Sequence, residues 1–266
     1  MKYVFIGSGK MGTALASALV QSGMAAAADV KAVDPLEAAR IAFTKATGIE
    51  CLENAQDALK GADVVVLAVK PQVAENVVRS LPRMGSSVLV ISICAGIPIA
   101  RLAEWFGSRR IIRVMPNTPL MVGRGASAFA PGEEATEEDS RLAQELLSKS
   151  GIAVRVEEAQ LDAVTGLSGS GPAYVFELAK AMALAGEHVG LAPELSLALT
   201  IQTIAGAAEM LARRTGTPDE LRDAVTSPNG TTYAGLQIMA KHDFRKIIQD
   251  TVDAATKRSI ELGKLS

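Results

Sequence analysis

Tyr3-Val4-Phe5-Ile6-Gly7-Ser8-Gly9-Lys10-Met11-Gly12 decides how the rest of the chain is read. Four strand-forming residues run into a G-x-G-x-x-G spacing, and a helical pattern over 13–22 follows at once. Each glycine answers a different demand. Gly7 permits the tight turn, Gly9 lets backbone approach a pyrophosphate, and Gly12 lets helix pack closely on strand, with the phosphates at the helix N-terminus. A plain glycine turn can show the same spacing, so the spacing alone is weak. The strand before it and the helix after it favour dinucleotide binding.

Outward from this loop, β-branched runs alternate with helical patterns. Tyr3–Ile6, Val30–Val33, 64–69, 88–93 and Ile111–Met115 read as strands, with helices over 13–22, 36–47, 74–81 and Ile99–Phe106 between them. The run Val64-Val65-Val66-Leu67-Ala68-Val69 is apolar on both faces, as in a parallel sheet covered by helices on both sides. A strand over 126–130, a helix starting near Thr136 and a strand over 152–156 close a doubly wound α/β domain. Carboxylates in 133–139 suit the start of that helix. Beyond residue 158 the strand signal stops. From Leu161 on the pattern is helical, broken near Gly169, Gly190, Gly216 and Asn229, with Pro172, Pro193 and Pro218 where a first helical turn tolerates them. The expected organisation is a Rossmann-like dinucleotide-binding domain over 1–158 and an all-α domain over 159–266.

Composition narrows the function classes. The 266 residues carry 27 Lys and Arg against 29 Asp and Glu, a net charge of −2, which lacks the basic excess of a dedicated nucleic-acid binder. A chain this long buries about 70–75% of its unfolded surface and needs no staples. No apolar run is expected to reach the roughly 20 residues of a membrane span, and Met1-Lys2 before Tyr3 leaves no room for a signal-peptide core; the expectation is a soluble, cytoplasmic protein without membrane or nucleic-acid partners. Cys51 and Cys94 lack metal-ligand spacing and read as reduced, packed thiols. Hydrophobic residues make up 48% of the chain, yet it has one Trp, three Tyr and six Phe, so the core is built of Ala, Val, Leu and Ile. Much of that material lies in 195–212, with Glu209 as its one charge. A helix so apolar around its circumference is buried on several sides, and a domain of this size has too few helices to surround it. A second subunit is expected to do so. Ser196, Thr200, Gln202 and Thr203 make it too polar for a membrane span.

Several residues stand where ligands bind in open α/β sheets, beyond the carboxyl ends of strands. Asp34 ends the second strand. It reads equally as an acceptor for ribose hydroxyls, which would repel a 2′-phosphate and point to NADH, and as a cap for the helix behind Pro35. Ala68-Val69-Lys70-Pro71, Cys94-Ala95-Gly96 and Asn117 in Met115-Pro116-Asn117-Thr118-Pro119 occupy the same edge. On position alone Lys70 is a solvated lysine.

These motifs together resemble pyrroline-5-carboxylate reductases, over essentially the whole chain. The resemblance runs through 5–12, 67–72, 113–119 and 164–174, and ends on its most diagnostic element, Val225-Thr226-Ser227-Pro228-Asn229-Gly230-Thr231-Thr232. It implies NADPH or NADH as cofactor, contacted by Ile6, Gly7, Ser8, Gly9, Lys10 and Met11, and by Asn54, Val69, Lys70 and Ala95. It implies that Thr231 and Thr232 hold the substrate carboxylate and stand beside the ring nitrogen, with Ser227 nearby and Glu158 (or Glu157) contacting substrate. It further implies a homodimer through the C-terminal helices and larger rings such as a decamer. Two departures stand out. Asn229-Gly230 replaces the usual Gly-Gly, which Asn tolerates because it holds φ > 0 best among non-glycines. Ala224 replaces an asparagine that contacts the ligand in some members.

The residues carry a chemical argument of their own. Carbonyl reduction needs a proton donor, usually Lys, His or Tyr. His188 sits at a helix end, His242 in a surface turn, and Tyr3, Tyr174 and Tyr233 form no Tyr-x-x-x-Lys pair. A protonated imine needs no such donor, because hydride transfer to its carbon removes charge. C=N reduction is therefore expected over C=O reduction. In that reading the N–H groups of Gly230, Thr231 and Thr232 fix a carboxylate at a helix start, although Ser or Thr before a helix is often an N-cap alone. Two alternatives are a β-hydroxyacid dehydrogenase, for which no lysine precedes Lys180 after Gly171, and a non-catalytic dinucleotide sensor.

Overall fold

The computed structural model describes residues 1–265. Packing divides the chain into two units, one of Met1–Ser170 together with residues from Asp253 on, the other Gly171–Val252.

The first unit is built on β1 (Tyr3–Ile6), β2 (Val30–Val33), β3 (Glu50–Leu52), β4 (Val64–Leu67), β5 (Leu89–Ser92), β6 (Ile111–Met115), β7 (Gly125–Pro131) and β8 (Gly151–Arg155). They form one sheet in the order β3-β2-β1-β4-β5-β6-β7-β8. Pairing is parallel from β3 to β6, antiparallel between β6 and β7, and parallel again between β7 and β8. The first six strands have the Rossmann order. Alternation drives the layering: Tyr3 and Phe5 enter the core on one face with Leu15, Leu19, Phe43 and Phe129, while Val4 and Ile6 enter the other with Val65, Leu67, Leu102 and Trp105. Both faces of the central strands are therefore covered, as the sequence led us to expect.

The helices between the strands are α1 (Lys10–Gln21), α2 (Glu37–Thr47), α3 (Ala55–Ala58), α4 (Pro71–Ser80), α5 (Ile99–Phe106) and α6 (Glu137–Ser148). Pro71 opens α4 three residues earlier than its apolar period suggests, since a proline at the first position already has helical φ. Thr136 and Asp139 form a capping box at the start of α6. Neither β3 nor α3 is visible in the sequence. Each has three or four residues, too few for a period, and β3 exists because β2 offers it a hydrogen-bonding edge.

Packing does not break at residue 158. The short α7 (Leu161–Val164) continues into a π-helical turn over Thr165–Gly169, and Leu161 is fully buried with Ala128 and Ala130. Residues 159–170 thus go with the sheet-bearing unit, anchored to it by Leu161.

The second unit holds α8 (Gly171–His188), α9 (Pro193–Ala212), α10 (Pro218–Ala224), α11 (Thr231–Lys241) and the first part of α12 (Phe244–Leu265). Pro193 and Pro218 stand in first turns, and Thr217 forms a capping box with Glu220. Within this unit α8 and α9 pack through small residues, with the Ser196 hydroxyl donating to the Ala183 carbonyl at 2.6 Å. Only Ser196 and Thr200 of α9 are buried, while Leu195, Leu197, Leu199 and Ile201 remain about half exposed. One expectation needs correction here: by length and composition alone, Pro193–Ala212 is long and apolar enough to cross a bilayer. The reason is that half of its polar residues are small Ser and Thr, which add little polarity to a run of Leu, Ile and Ala. Core helices of soluble proteins share that property.

Candidate active site

The glycine loop meets the demands read from its spacing. Gly7 has φ +99°, and a Cβ there would stand 2.7 Å from the Ala68 carbonyl oxygen. A Cβ on Gly12 would stand 2.8 Å from the Gly7 oxygen and 3.1 Å from the Ala68 Cβ, so α1 sits hard against the ends of β1 and β4. Gly9 is different. It caps α1 with an extended backbone (φ −65°, ψ 174°) that any residue adopts, and a Cβ on it would meet nothing within 4 Å. Nothing in the fold requires glycine there. The open space in front of an uncapped helix N-terminus is where a phosphate binds, so the residues present fit a dinucleotide.

Asp34 turns its carboxylate to donors of the protein itself, while the N-cap position of α2 falls to Leu36. Asp34 Oδ1 accepts from Leu36 N at 3.0 Å, a turn-stabilising contact, and its Oδ2 faces the loop, accepting from Ser8 N at 3.0 Å and Ser8 Oγ at 2.9 Å. Arg40, a residue the sequence reading did not single out, donates through Nη1 to the carbonyls of Asp34 (3.0 Å) and Pro35 (2.9 Å), and its Nη2 lies 3.7 Å from Glu53. Asn54 next to Glu53 is exposed and caps α3 without a side-chain hydrogen bond, which leaves its amide open.

Along the same edge of the sheet, Ala68, Val69 and the exposed Lys70 lead into α4, and Ala95 is exposed between buried Cys94 and Gly96. Cys94 Sγ lies 3.3 Å from the Val69 carbonyl, linking the two loops; burial above all pushes this thiol up to about 11. Gly96 has φ +78°, and the end of α12 approaches it so closely that a Cβ on Gly263 would stand 2.9 Å from the Gly96 oxygen. Asn117 is committed to the protein. Its Oδ1 accepts from Ala126 N at 2.8 Å and its Nδ2 donates to the Ser168 carbonyl at 3.1 Å.

Glu158 is likewise engaged. Its Oε1 accepts from Ile99 N, at the start of α5, at 2.7 Å, and from Arg113 Nη1 at 3.1 Å. Arg113, 6% exposed on β6, also lies 3.9 Å from Asp162, which accepts from Ser259 of α12 at 2.7 Å. This network was missed. An arginine inside an apolar strand signals a buried partner, but nothing local says which.

In the second unit, Asn229 takes φ +60° and the turn survives the loss of glycine. Gly230 caps α11, where a Cβ would collide with Ser227, and its N–H donates to the Ser227 carbonyl at 3.0 Å. The first intrahelical bond runs from Ala234 N to the Gly230 oxygen. Thr231, Thr232 and Tyr233 therefore keep N–H groups open at the helix start, and both threonines are exposed.

Residues 158–262 match the family model for pyrroline-5-carboxylate reductase dimerisation, and residues 2–96 that for the coenzyme F420-dependent NADP oxidoreductases. The chain is 42% identical to a pyrroline-5-carboxylate reductase of Glycine max, over 97% of its own length and 95% of the relative's. It is 41% identical to one of Pseudomonas aeruginosa, over 99% and 97%. Among solved structures, a Plasmodium falciparum pyrroline carboxylate reductase with NADP bound superposes with a TM-score of 0.87 at 32% identity, covering 99% of this chain and 98% of that one. A reductive aminase from Aspergillus terreus, at TM-score 0.58 and 18% identity, shares the fold.

Proposed function

The chain belongs to the pyrroline-5-carboxylate reductase family, and from that premise we propose how its residues carry out the NAD(P)H-dependent reduction of 1-pyrroline-5-carboxylate to L-proline, the last step of proline biosynthesis. The observation that carries the assignment of residues is the start of α11. Asn229 at φ +60° and Gly230 turn the chain so that the N–H groups of Thr231 and Thr232 are left for a carboxylate. A bound NAD(P)H supplies the hydride. Ile6, Gly7, Ser8, Gly9, Lys10, Met11 and Gly12 hold its pyrophosphate through backbone N–H groups and the N-terminus of α1. Asp34 and Asn54 attend the adenosine end, while Ala68, Val69, Lys70, Pro71, Cys94, Ala95 and Gly96 shape the edge along which the cofactor lies.

In this reading the protein's share of catalysis is position rather than proton transfer. Gly230, Thr231 and Thr232 fix the substrate carboxylate, with Ser227 shaping the turn beneath them, and the Thr232 hydroxyl orients the ring nitrogen. The imine arrives protonated, so its carbon accepts hydride and the nitrogen leaves as a neutral amine. Within the first unit, Asn117 braces the loop after β6, and Glu158 ties the start of α5 to Arg113.

The chain carries the family's dimerisation region. We assign the exposed apolar faces of α9 to the partner subunit of a homodimer, which can assemble further into a ring such as a decamer, in the cytoplasm. Sedimentation of a monomer at micromolar concentration would contradict this. For the chemistry, Thr232→Ala should lower kcat/KM for the pyrroline about tenfold or more, the worth of one or two hydrogen bonds to a charged substrate, while leaving the Kd for NADH in place. An unchanged kcat/KM removes Thr232 from the site, and the absence of pyrroline-dependent oxidation of either NADH or NADPH removes the assignment altogether.

A further inference from the structure

We propose that Ser8, Asp34, Arg40 and Glu53 form a device that excludes a 2′-phosphate, making NADH the preferred cofactor of this chain; the inference rests on the glycine loop being the cofactor site. In a Rossmann sheet the ribose of the adenosine half lies over the end of β2, where an acid accepts its hydroxyls and an arginine, in NADP-binding members, takes the 2′-phosphate. This chain has both residue types at that place, so composition alone does not decide between them.

The geometry does. The Asp34 carboxylate is pinned by three donors, Ser8 N, Ser8 Oγ and Leu36 N, all at 2.9–3.0 Å, and cannot swing away from an incoming phosphate. An ionised carboxylate offers about four acceptor positions, which leaves one for a ribose hydroxyl. Arg40 is the cation that could offset a phosphate, but its Nη1 is spent on the carbonyls of Asp34 and Pro35, and its Nη2 faces Glu53. Its side chain is only 18% exposed. To grip a 2′-phosphate it would have to abandon both carbonyls and the Glu53 contact. Glu53, largely in solvent, adds a second negative charge on the same side. The neighbouring Cys51 thiol senses the balance: burial first and then the Asp34 charge push it up, an effect that Ser8 and Arg40 only partly offset. A ribose 2′-hydroxyl meets an acceptor here, whereas a phosphate dianion meets two carboxylates and a guanidinium already engaged.

The test is calorimetric titration of the full-length protein with NADH and with NADPH, in phosphate-free buffer, so that the readout does not depend on turnover. We expect NADPH to bind about tenfold or more weakly than NADH, the scale of one unscreened like-charge contact near a protein surface. Asp34→Asn removes the charge while keeping an amide oxygen for the loop, and should narrow the ratio about fivefold or more by tightening NADPH. Glu53→Gln releases Arg40 and should narrow it by a smaller factor. NADPH binding as tight as NADH in the parent overturns the proposal, as does a ratio unmoved by Asp34→Asn. If that variant binds neither cofactor because the loop has lost its anchor, Glu53→Gln decides, and an unmoved ratio there overturns it. Failure of the reductase reading looks different: no pyrroline-dependent oxidation of either cofactor, whatever the ratio of the two affinities.

Discussion

Gly9→Ala separates what the glycine loop does for the fold from what it does for the ligand. Gly9 has an ordinary extended backbone and no neighbour within 4 Å of where a Cβ would go. Alanine is a poorer N-cap than glycine by about 0.5–1 kcal/mol, and it restricts the unfolded chain, which returns about 0.4–1 kcal/mol. The two cancel to within about 0.5 kcal/mol, so the apparent Tm should move by less than about 2 °C in a chain of this size. The new methyl would, however, stand in the space before α1 and hold an anion away from the helix N–H groups. Losing one hydrogen bond to a charged group costs about 1.5–3 kcal/mol, which raises the Kd for NADH about 10- to 150-fold. Gly12→Ala is the contrasting control. Its Cβ would press on the Gly7 oxygen at 2.8 Å, a strain of about 1–3 kcal/mol against about 1 kcal/mol of gained helix propensity, so this variant should lose stability as well as affinity. Thermal unfolding by circular dichroism and calorimetric titration with NADH read both quantities. If Gly9→Ala melts as early as Gly12→Ala, or binds NADH within about twofold of the parent, Gly9 is not the point of closest approach and the loop argument fails.

Two further expectations concern the buried ion pairs of the first unit. Arg110 grips Asp139 with two bonds of 2.8 and 2.7 Å; burial alone would raise the Asp139 carboxyl, but Arg110 and Thr136 hold it below its ordinary value. A carboxyl lowered in the folded state contributes stability that is present above its unfolded pKa of about 3.9 and is lost as pH falls through the folded value. The apparent Tm should therefore drop below about pH 4, and Asp139→Asn, less stable at pH 7, should lose less over that range; equal slopes for the two proteins would refute the linkage. Arg113→Met leaves Glu158 and Asp162 without their shared cation and should cost about 2–4 kcal/mol, toward the low end because both carboxylates keep some solvent. A Tm within about 1 °C of the parent would show that the network does not bear on stability.

Much of the architecture is written locally. The alternation in Tyr3–Ile6 and the continuous apolar run from Val64 follow from side chains that must leave water on both faces of a sheet, and that pattern needs no knowledge of partners. Gly7 and Gly12 are legible because their demands arise within a few residues, and Asn229 because a left-handed turn has few possible occupants. The four-residue α3 and three-residue β3 escape the same reasoning, being shorter than any period.

Residues whose roles depend on distant chain could not be read this way. Glu158 matched a substrate contact by its place in a motif, yet it accepts from Ile99, 59 residues away, and from Arg113. Ser259 reaches Asp162 across 97 residues. Nothing local to Asp34 foretold that Ser8 would meet its carboxylate or that Arg40 would lie between its carbonyl and Glu53. By itself the sequence determined the doubly wound sheet, the glycine loop, the helical second half and the family, because each is carried by short-range pattern. Only the tertiary structure decided where buried charge is neutralised and which donors remain open at the site. A charged group taken out of water must find its partner wherever the fold brings one, and that partner's position along the chain is not constrained by local pattern.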